Sequence, residues 1–446
     1  MKKILSFIFI SSLFIFQTAF ADKVAIIGGG AAGLVTAWLI EKNHDVTLYE
    51  AKDHLGGHAE TIDIMVNGKK ISVEGGTEFF NKNAYPHFVN LLSYFNIPLH
   101  SFTLTSIFYK TDGSDVIMLP PVHDGIIEWK SLTPYNINRS LQLASVIAKG
   151  RDILASNNTD ISLQQFVDTL KISKDFKNNF FYPFVASQWA VSINDIQEFS
   201  AYDTLKYMTE GMDSGNFQWF EVDGGLRKYI EAVRDALQNT QIKMSTRVTD
   251  ITKNNGHFIV KDENGNQNEY DQVVIATDAS VAGSLLHNMA EASDISLLLS
   301  KVSYYKTTIA IHSDPRFMPP NKKDWRVVDI RYDGVNSETT IYKNWLSSDT
   351  PIFKSWLNYD VRAPHDKGDP MPTNLYAMVY YNHPVVSPYY FQAQKFIEQV
   401  QGNNNLWFVG MWTFDNDSHE SAINSAIKIA KQLAPNSDRL KVLEGQ

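Results

Sequence analysis

Residues 24–33 constrain this chain more than any other stretch. Val24-Ala25-Ile26-Ile27 is a continuous apolar run, the pattern of a strand buried on both faces. It leads directly into Gly28-Gly29-Gly30-Ala31-Ala32-Gly33, a GxGxxG pattern carried by Gly28, Gly30 and Gly33. Leu34 to Lys42 then reads as a helix and Val46-Thr47-Leu48-Tyr49 as a second strand, closed by Glu50. Each part has a physical reason. Gly28 permits a tight strand-to-helix turn, Gly30 lets the backbone approach a pyrophosphate, and Gly33 lets helix and strand pack closely. Ala31 and Ala32 sit at a helix N-terminus, whose free N–H groups and partial positive charge favour phosphate. The Glu50 carboxylate can accept hydrogen bonds from a ribose hydroxyl pair and would repel a 2′-phosphate. A glycine-rich turn alone would not demand strand, glycines, helix, strand and acid in this order. The succession predicts a dinucleotide site.

Composition narrows the rest. At 446 residues the chain holds two or three domains, or one large one. Lys+Arg 40 against Asp+Glu 49 leaves a net charge of −9 with no basic cluster, which argues against a nucleic-acid partner. Cysteine is absent, so disulfides, thiolate metal sites and a Cys nucleophile are excluded. Lys2 and Lys3, the apolar run Ile4 to Phe16, and Ala19-Phe20-Ala21 read as a signal peptide over 1–21, cleaved before Asp22. The competing reading is an uncleaved anchor, but the run falls short of the roughly 20 residues a span needs. A bacterial-looking signal predicts a periplasmic or secreted protein without a membrane span in the mature chain.

Glu50 continues as Ala51-Lys52-Asp53-His54-Leu55-Gly56-Gly57-His58. Here the chain resembles the flavin-containing amine oxidoreductase superfamily, which includes monoamine and polyamine oxidases, protoporphyrinogen oxidases and phytoene desaturases. Its members carry Gly-Gly-Arg where this chain has Gly56-Gly57-His58. The Gly-Gly-His form looks like a bacterial branch of NAD/FAD-binding proteins. The resemblance implies FAD as cofactor. It extends to Val73-Glu74-Gly75-Gly76-Thr77-Glu78, similar to a segment beside the flavin, which implicates Gly76 and Thr77. It also covers Thr246-Arg247-Val248, where relatives contact the adenine through the backbone at a position like Val248. Tyr270 to Thr277 is similar to a buried family strand. Leu406 to Trp412, with Gly410, and the helix opened by Glu420-Ser421-Ala422 resemble the segment that closes over the ribityl chain and the flavin O2 side. The expected fold class is α/β, with a discontinuous Rossmann-like FAD-binding domain over 22–80, 220–280 and 400–434. Residues 81–219 and 281–399 are expected to form a second, α+β substrate domain, a sheet with helices over it. Most of the aromatic-rich stretches fall there and read mainly as core. Arg362 to Pro370 reads as an exposed loop.

A flavin oxidoreductase needs little acid–base machinery, because the cofactor accepts the hydride. Lys306, in an apparent strand over 302–311, is the first catalytic candidate, since many amine oxidases place a buried lysine at a comparable strand. Its competing reading is an edge lysine in solvent. His419 is the second candidate; helix capping is its competing reading. His54 and His58 have i,i+4 spacing, but Gly56-Gly57 between them makes a loop, so no metal site is expected. The stretch before Glu420 is Ser418-His419 rather than an aromatic residue, which departs from the amine-orienting cage of amine oxidases. The Asn67-Gly68 hairpin and the export signal are similar to those of prenylcysteine oxidases. The substrate class stays open between a small amine, a thioether and a lipid-like molecule. Net oxidation with O2 or another acceptor competes with isomerisation, and with a non-enzymatic flavin-binding role.

Overall fold

The computed structural model describes residues 21–77, 79–209, 218–361 and 371–445. Residues 1–20, Glu78 and the stretch 362–370 therefore lie outside it, and with them nearly all of the expected signal peptide and the expected loop. Two sheets organise the molecule. The first has five strands, all parallel, in the order Thr240–Lys243, Asp45–Tyr49, Lys23–Ile27, Gln272–Ile275 and Leu406–Phe408. Its strands come from three separated parts of the chain. Apolar runs with no alternation form such strands because both sheet faces are covered.

The helix Ala31–Ile40 covers one face. All ten residues of AAGLVTAWLI are buried. A helix apolar all round has to be enclosed, and here the terminal helix His419–Leu433 and the helix Arg227–Asp235 enclose it. The helix Pro86–Tyr94, inside the stretch expected to face substrate, packs on the two C-terminal helices and joins this same core through Phe88, Leu91 and Leu92. A three-stranded antiparallel meander, Val248–Asn254, His257–Asp262 and Gln267–Tyr270, lies alongside.

The second sheet has seven strands in the order Leu375–Pro384, Tyr304–His312, Phe353–Trp356, Ser337–Tyr342, Val328–Tyr332, Ser106–Lys110 and Ile117–Leu119. All its pairs are antiparallel except Val328–Tyr332 with Ser106–Lys110. Phe176, Phe180, Phe181 and Tyr182 are buried in the helical layer against it, as the aromatic-rich reading expects. The hairpin Thr61–Val66 and Lys69–Glu74 turns at Asn67-Gly68, whose φ values of 51° and 77° fit a type I′ turn. Through Ile64, Val66 and Val73 it packs on Ile311 of the second sheet and on Ile352, just before the strand Phe353–Trp356. The hairpin thus ties the glycine-rich end of the first sheet to the second.

Candidate functional site: a glycine cradle and a polar cavity

The glycines differ in what they answer to. Gly28 has φ +115°, and a Cβ there would meet the Ala276 carbonyl oxygen at 2.6 Å. A Cβ on Gly33 would meet the Gly28 oxygen at 2.0 Å. Both are demanded by protein packing. Gly30 is not: its Cβ would find nothing nearer than Gly57 Cα at 3.8 Å. Gly30 is also the N-cap of the first helix, and no side chain caps it. An uncapped helix start with open space before it fits a phosphate group, which would satisfy the free N–H groups of Ala31 and Ala32.

Glu50 flanks this cradle. Its Oε2 accepts from the Gly29 amide at 2.7 Å and its Oε1 from the Lys52 amide at 2.8 Å. Each oxygen keeps acceptor capacity for a further partner. The Thr246 amide donates to the Glu50 carbonyl at 2.8 Å, which brings Val248 beside the acid. Gly56 and Gly57 lie against the first loop: the Gly56 amide donates to the Gly29 carbonyl at 2.9 Å. Gly28, Gly30, Ala31, Ala32, Gly33, Glu50, Gly56, Gly57 and Val248 are therefore brought together.

His58 opens a second region. The Thr77 amide donates to its carbonyl at 3.3 Å, and a Cβ on Gly76 would sit 1.7 Å from that oxygen. Water reaches the His58 ring, yet surrounding protein desolvates it enough to hold its imidazolium form down. Both hold for a residue on a cavity wall. Asp278, His383 and Asp417 lie within electrostatic reach of it, and the Tyr381 ring is 5.0 Å away. Register explains the grouping. Tyr305 pairs with His383 and Thr307 with Tyr381 across two adjacent strands, so these four share one face. His383 has an acceptor at each ring nitrogen: the Pro384 carbonyl oxygen at 3.1 Å from Nδ1 and Asp417 Oδ2 at 3.2 Å from Nε2.

Asp278 is the unusual member. It is the N-cap of the helix Ala279–Leu285, a position where Asp ordinarily caps, yet its side chain makes no cap bond. The Ala279 amide, at the first helical position, donates to the Tyr304 hydroxyl at 2.8 Å. The Asp278 carboxylate lies within reach of His58 and His383, and burial, the largest effect on it, pushes its pKa up. Sequence reading missed Asp278, His383, Asp417 and Tyr381 as site residues. The one local signal was an acid directly after the family's Ala276-Thr277.

Two catalytic candidates and part of the C-terminal motif fall elsewhere. Lys306 pairs with Asn382, alternates along the strand with Tyr305 and Thr307, and borders an open cleft with Asn358 and Tyr359. It is exposed, as is Tyr380 two positions from its partner, at 70%. The expected buried lysine is thus a solvent lysine in this fold. His419 is held inside, its Nε2 2.8 Å from the Tyr229 hydroxyl and its ring edge-on to Phe88. Burial pushes its pKa down to about 4, so it stays neutral at ordinary pH. The Glu420 carboxylate accepts from the amides of His87 and Phe88 at 3.0 and 2.9 Å and from His87 Nδ1 at 2.6 Å. It caps the helix Pro86–Tyr94, whose N-cap Tyr85 cannot. Ser421 donates its amide to Ser418 Oγ at 3.1 Å, and Ala422 to the Ser418 carbonyl at 3.3 Å. This helix start is already capped, unlike the first. Gly410, at φ 131°, is anchored by Ser425 Oγ at 2.9 Å.

The match with the sequence profile of the flavin-containing amine oxidoreductases spans residues 31–385, and the chain belongs to that family. Its cofactor is FAD. Solved structures with the same fold include a CLA-producing fatty acid isomerase from P. acnes, with a TM-score of 0.68 at 16% identity over 92% of this chain and 98% of that one. Wild-type putrescine oxidase bound to putrescine gives 0.63 at 12% identity, over 94% and 99%. Cyclohexylamine oxidase from Brevibacterium oxydans IH-35A gives 0.64 at 13% identity, over 93% and 99%. No curated protein matches the chain. The protein is a flavin-dependent oxidoreductase.

Proposed function

We propose that this enzyme oxidises a small organic amine. The observation that carries the reading is Asp278, which forgoes its helix cap and leaves its carboxylate on the cavity wall. Capping is worth about 1 kcal/mol, so a carboxylate left uncommitted there suits a cationic substrate. The first-helix cradle, Glu50 and the Val248 segment would hold the dinucleotide, with Gly76 and Thr77 beside the ring. Bound FAD supplies the hydride acceptor. An amine arrives as an ammonium and must shed one proton before its C–H bond can yield a hydride. Asp278 orients the ammonium, and the neutral imidazole of His58, electrostatically linked to Asp278, would take that proton. The His383–Asp417 pair keeps the opposite wall polar. The N-terminal pattern supports export, with residues 1–21 removed and the mature chain working in the periplasm. Cleavage before Asp22 would spare the contacts that tie Asp22 to Asp45 and Gln272.

The test is anaerobic mixing of the purified flavoprotein with amines, thioethers and unsaturated fatty acids, followed by flavin absorbance. An amine should bleach the flavin. In Asp278→Asn, flavin content and melting temperature should hold, because the Asp278 side chain makes no cap bond that the change could remove, while amine-driven bleaching slows by about 100-fold. Bleaching by fatty acids alone, or an unchanged rate in Asp278→Asn, would overturn the amine reading. Lys306→Met should leave the rate unchanged.

A further inference from the structure

Three consecutive elements turn their apolar side chains to solvent. The small hairpin Val122–His123 and Ile126–Ile127 exposes Val122, Ile126 and Ile127 around a tip at Asp124-Gly125. The 3-10 turn Trp129–Leu132 follows, with Trp129 at 73% exposure. The helix Pro134–Ala155 then exposes Ile137 and Leu141 one turn apart. Scattered exposed apolar residues need no explanation, but a contiguous group does.

The segment is braced from below by its own polar residues. Buried Glu128 pairs with Arg326 and accepts from His123 Nε2 at 3.1 Å. Ser131 Oγ accepts from the Met118 amide at 2.7 Å and donates to the Met118 carbonyl at 2.9 Å. Asn136 Nδ2 donates to the carbonyls of Val116 and Lys130 at 2.8 and 2.9 Å. Glu128, Ser131 and Asn136 point in, while Val122, Ile126, Ile127 and Trp129 point out.

The rim indicates what covers it. Lys130 is neutralised by Asp324 at 2.7 Å, and Arg326 by Glu128. Lys322 and Lys323, exposed on the adjoining turn Lys322–Asp324, make no ion pair among the described residues. Acids on or against the segment include Asp124 at the hairpin tip and Asp175, which accepts from the Tyr135 hydroxyl at 2.8 Å. A second copy of the chain would bring the same lysines toward each other. A protruding apolar tip, a tryptophan and surplus lysines instead match an anionic phospholipid surface, where indole sits at the headgroup level and ammonium groups meet phosphate. No described helix is long and apolar enough to cross a membrane. We propose that residues 122–141 dock the protein peripherally on an anionic bilayer. This stands independently of the amine reading.

The experiment is co-sedimentation of the flavoprotein with vesicles of phosphatidylethanolamine and phosphatidylglycerol, and with phosphatidylcholine alone. The wild type should sediment with the anionic vesicles. The double variant Ile126→Ser, Trp129→Ser should lose at least about tenfold in partitioning, with flavin absorbance and melting temperature unchanged. Lys322→Glu with Lys323→Glu should lose binding to the phosphatidylglycerol vesicles. A wild type that stays in the supernatant would overturn the proposal, as would variants that sediment like it. So would a solution dimer that the apolar double variant converts to monomer.

Discussion

Gly30 and Gly33 are three residues apart in one motif, and the fold asks different things of them. A Cβ on Gly33 would penetrate the Gly28 carbonyl, so Gly33→Val should fail to give folded protein. A Cβ on Gly30 enters open space. Gly30→Val should therefore fold, with far-UV dichroism like the wild type, and carry no flavin chromophore. Flavin retained in a folded Gly30→Val protein would disprove the assignment of the cradle. The same contrast separates Asp278 from Glu420. Both are acids beside a helix start, but Glu420 spends its carboxylate on two amides and a histidine, whereas Asp278 spends none on its own helix. Residue type could not distinguish them, because the decision lies in where the packed neighbours turn each carboxylate.

At the level of elements, the strand-glycine-helix-strand succession, the Asn67-Gly68 hairpin and the apolar strand before Thr277 were legible. Each rests on local physics: a φ value, a turn type, a periodicity. The use of the terminal helix was not. Its N-terminus is closed by Ser418, and its second residue reaches sideways to cap Pro86–Tyr94, 332 positions away in sequence. Glu420→Gln should weaken that cap by about 2 kcal/mol, since hydrogen bonds to a charged acceptor are the stronger kind. Urea unfolding would show it as a lower midpoint at an unchanged slope. An unchanged midpoint would mean that the carboxylate contributes nothing to this helix. A strand was anticipated over 302–311 and is found at Tyr304–His312, but its facing was not anticipated. Register puts Tyr305 and Thr307 with His383 and Tyr381, and turns Lys306 away.

Across the molecule, pH reaches the core through buried imidazoles. His312 is buried in the second sheet, where Nδ1 accepts from the Asp314 amide at 3.0 Å and Nε2 lies 2.9 Å from Ser355 Oγ. Desolvation is the main reason its pKa falls to about 3. In the unfolded chain the imidazole has its ordinary value of about 6.5. Between those values the unfolded state takes up a proton that the folded state refuses, so this contribution to stability falls as pH drops. His312→Asn lacks that linkage. Its stability deficit relative to wild type should narrow as pH is lowered from about 6.5 toward 3, measured as melting temperature against pH. A constant gap would show that His312 is not held neutral. The chain order of the amino acids sufficed for the dinucleotide cradle, because those signals are short-range: glycines where Cβ atoms collide, an acid closing a strand, apolar runs with no alternation; FAD itself came from the resemblance carried by Gly56-Gly57-His58. The cavity was decided only in three dimensions. His58, Asp278, His383 and Asp417 share no local pattern and meet because two sheets, a hairpin and a helix start converge. Whether a side chain faces that cavity depends on strand register and on which group satisfies each backbone amide, quantities set by the packed whole.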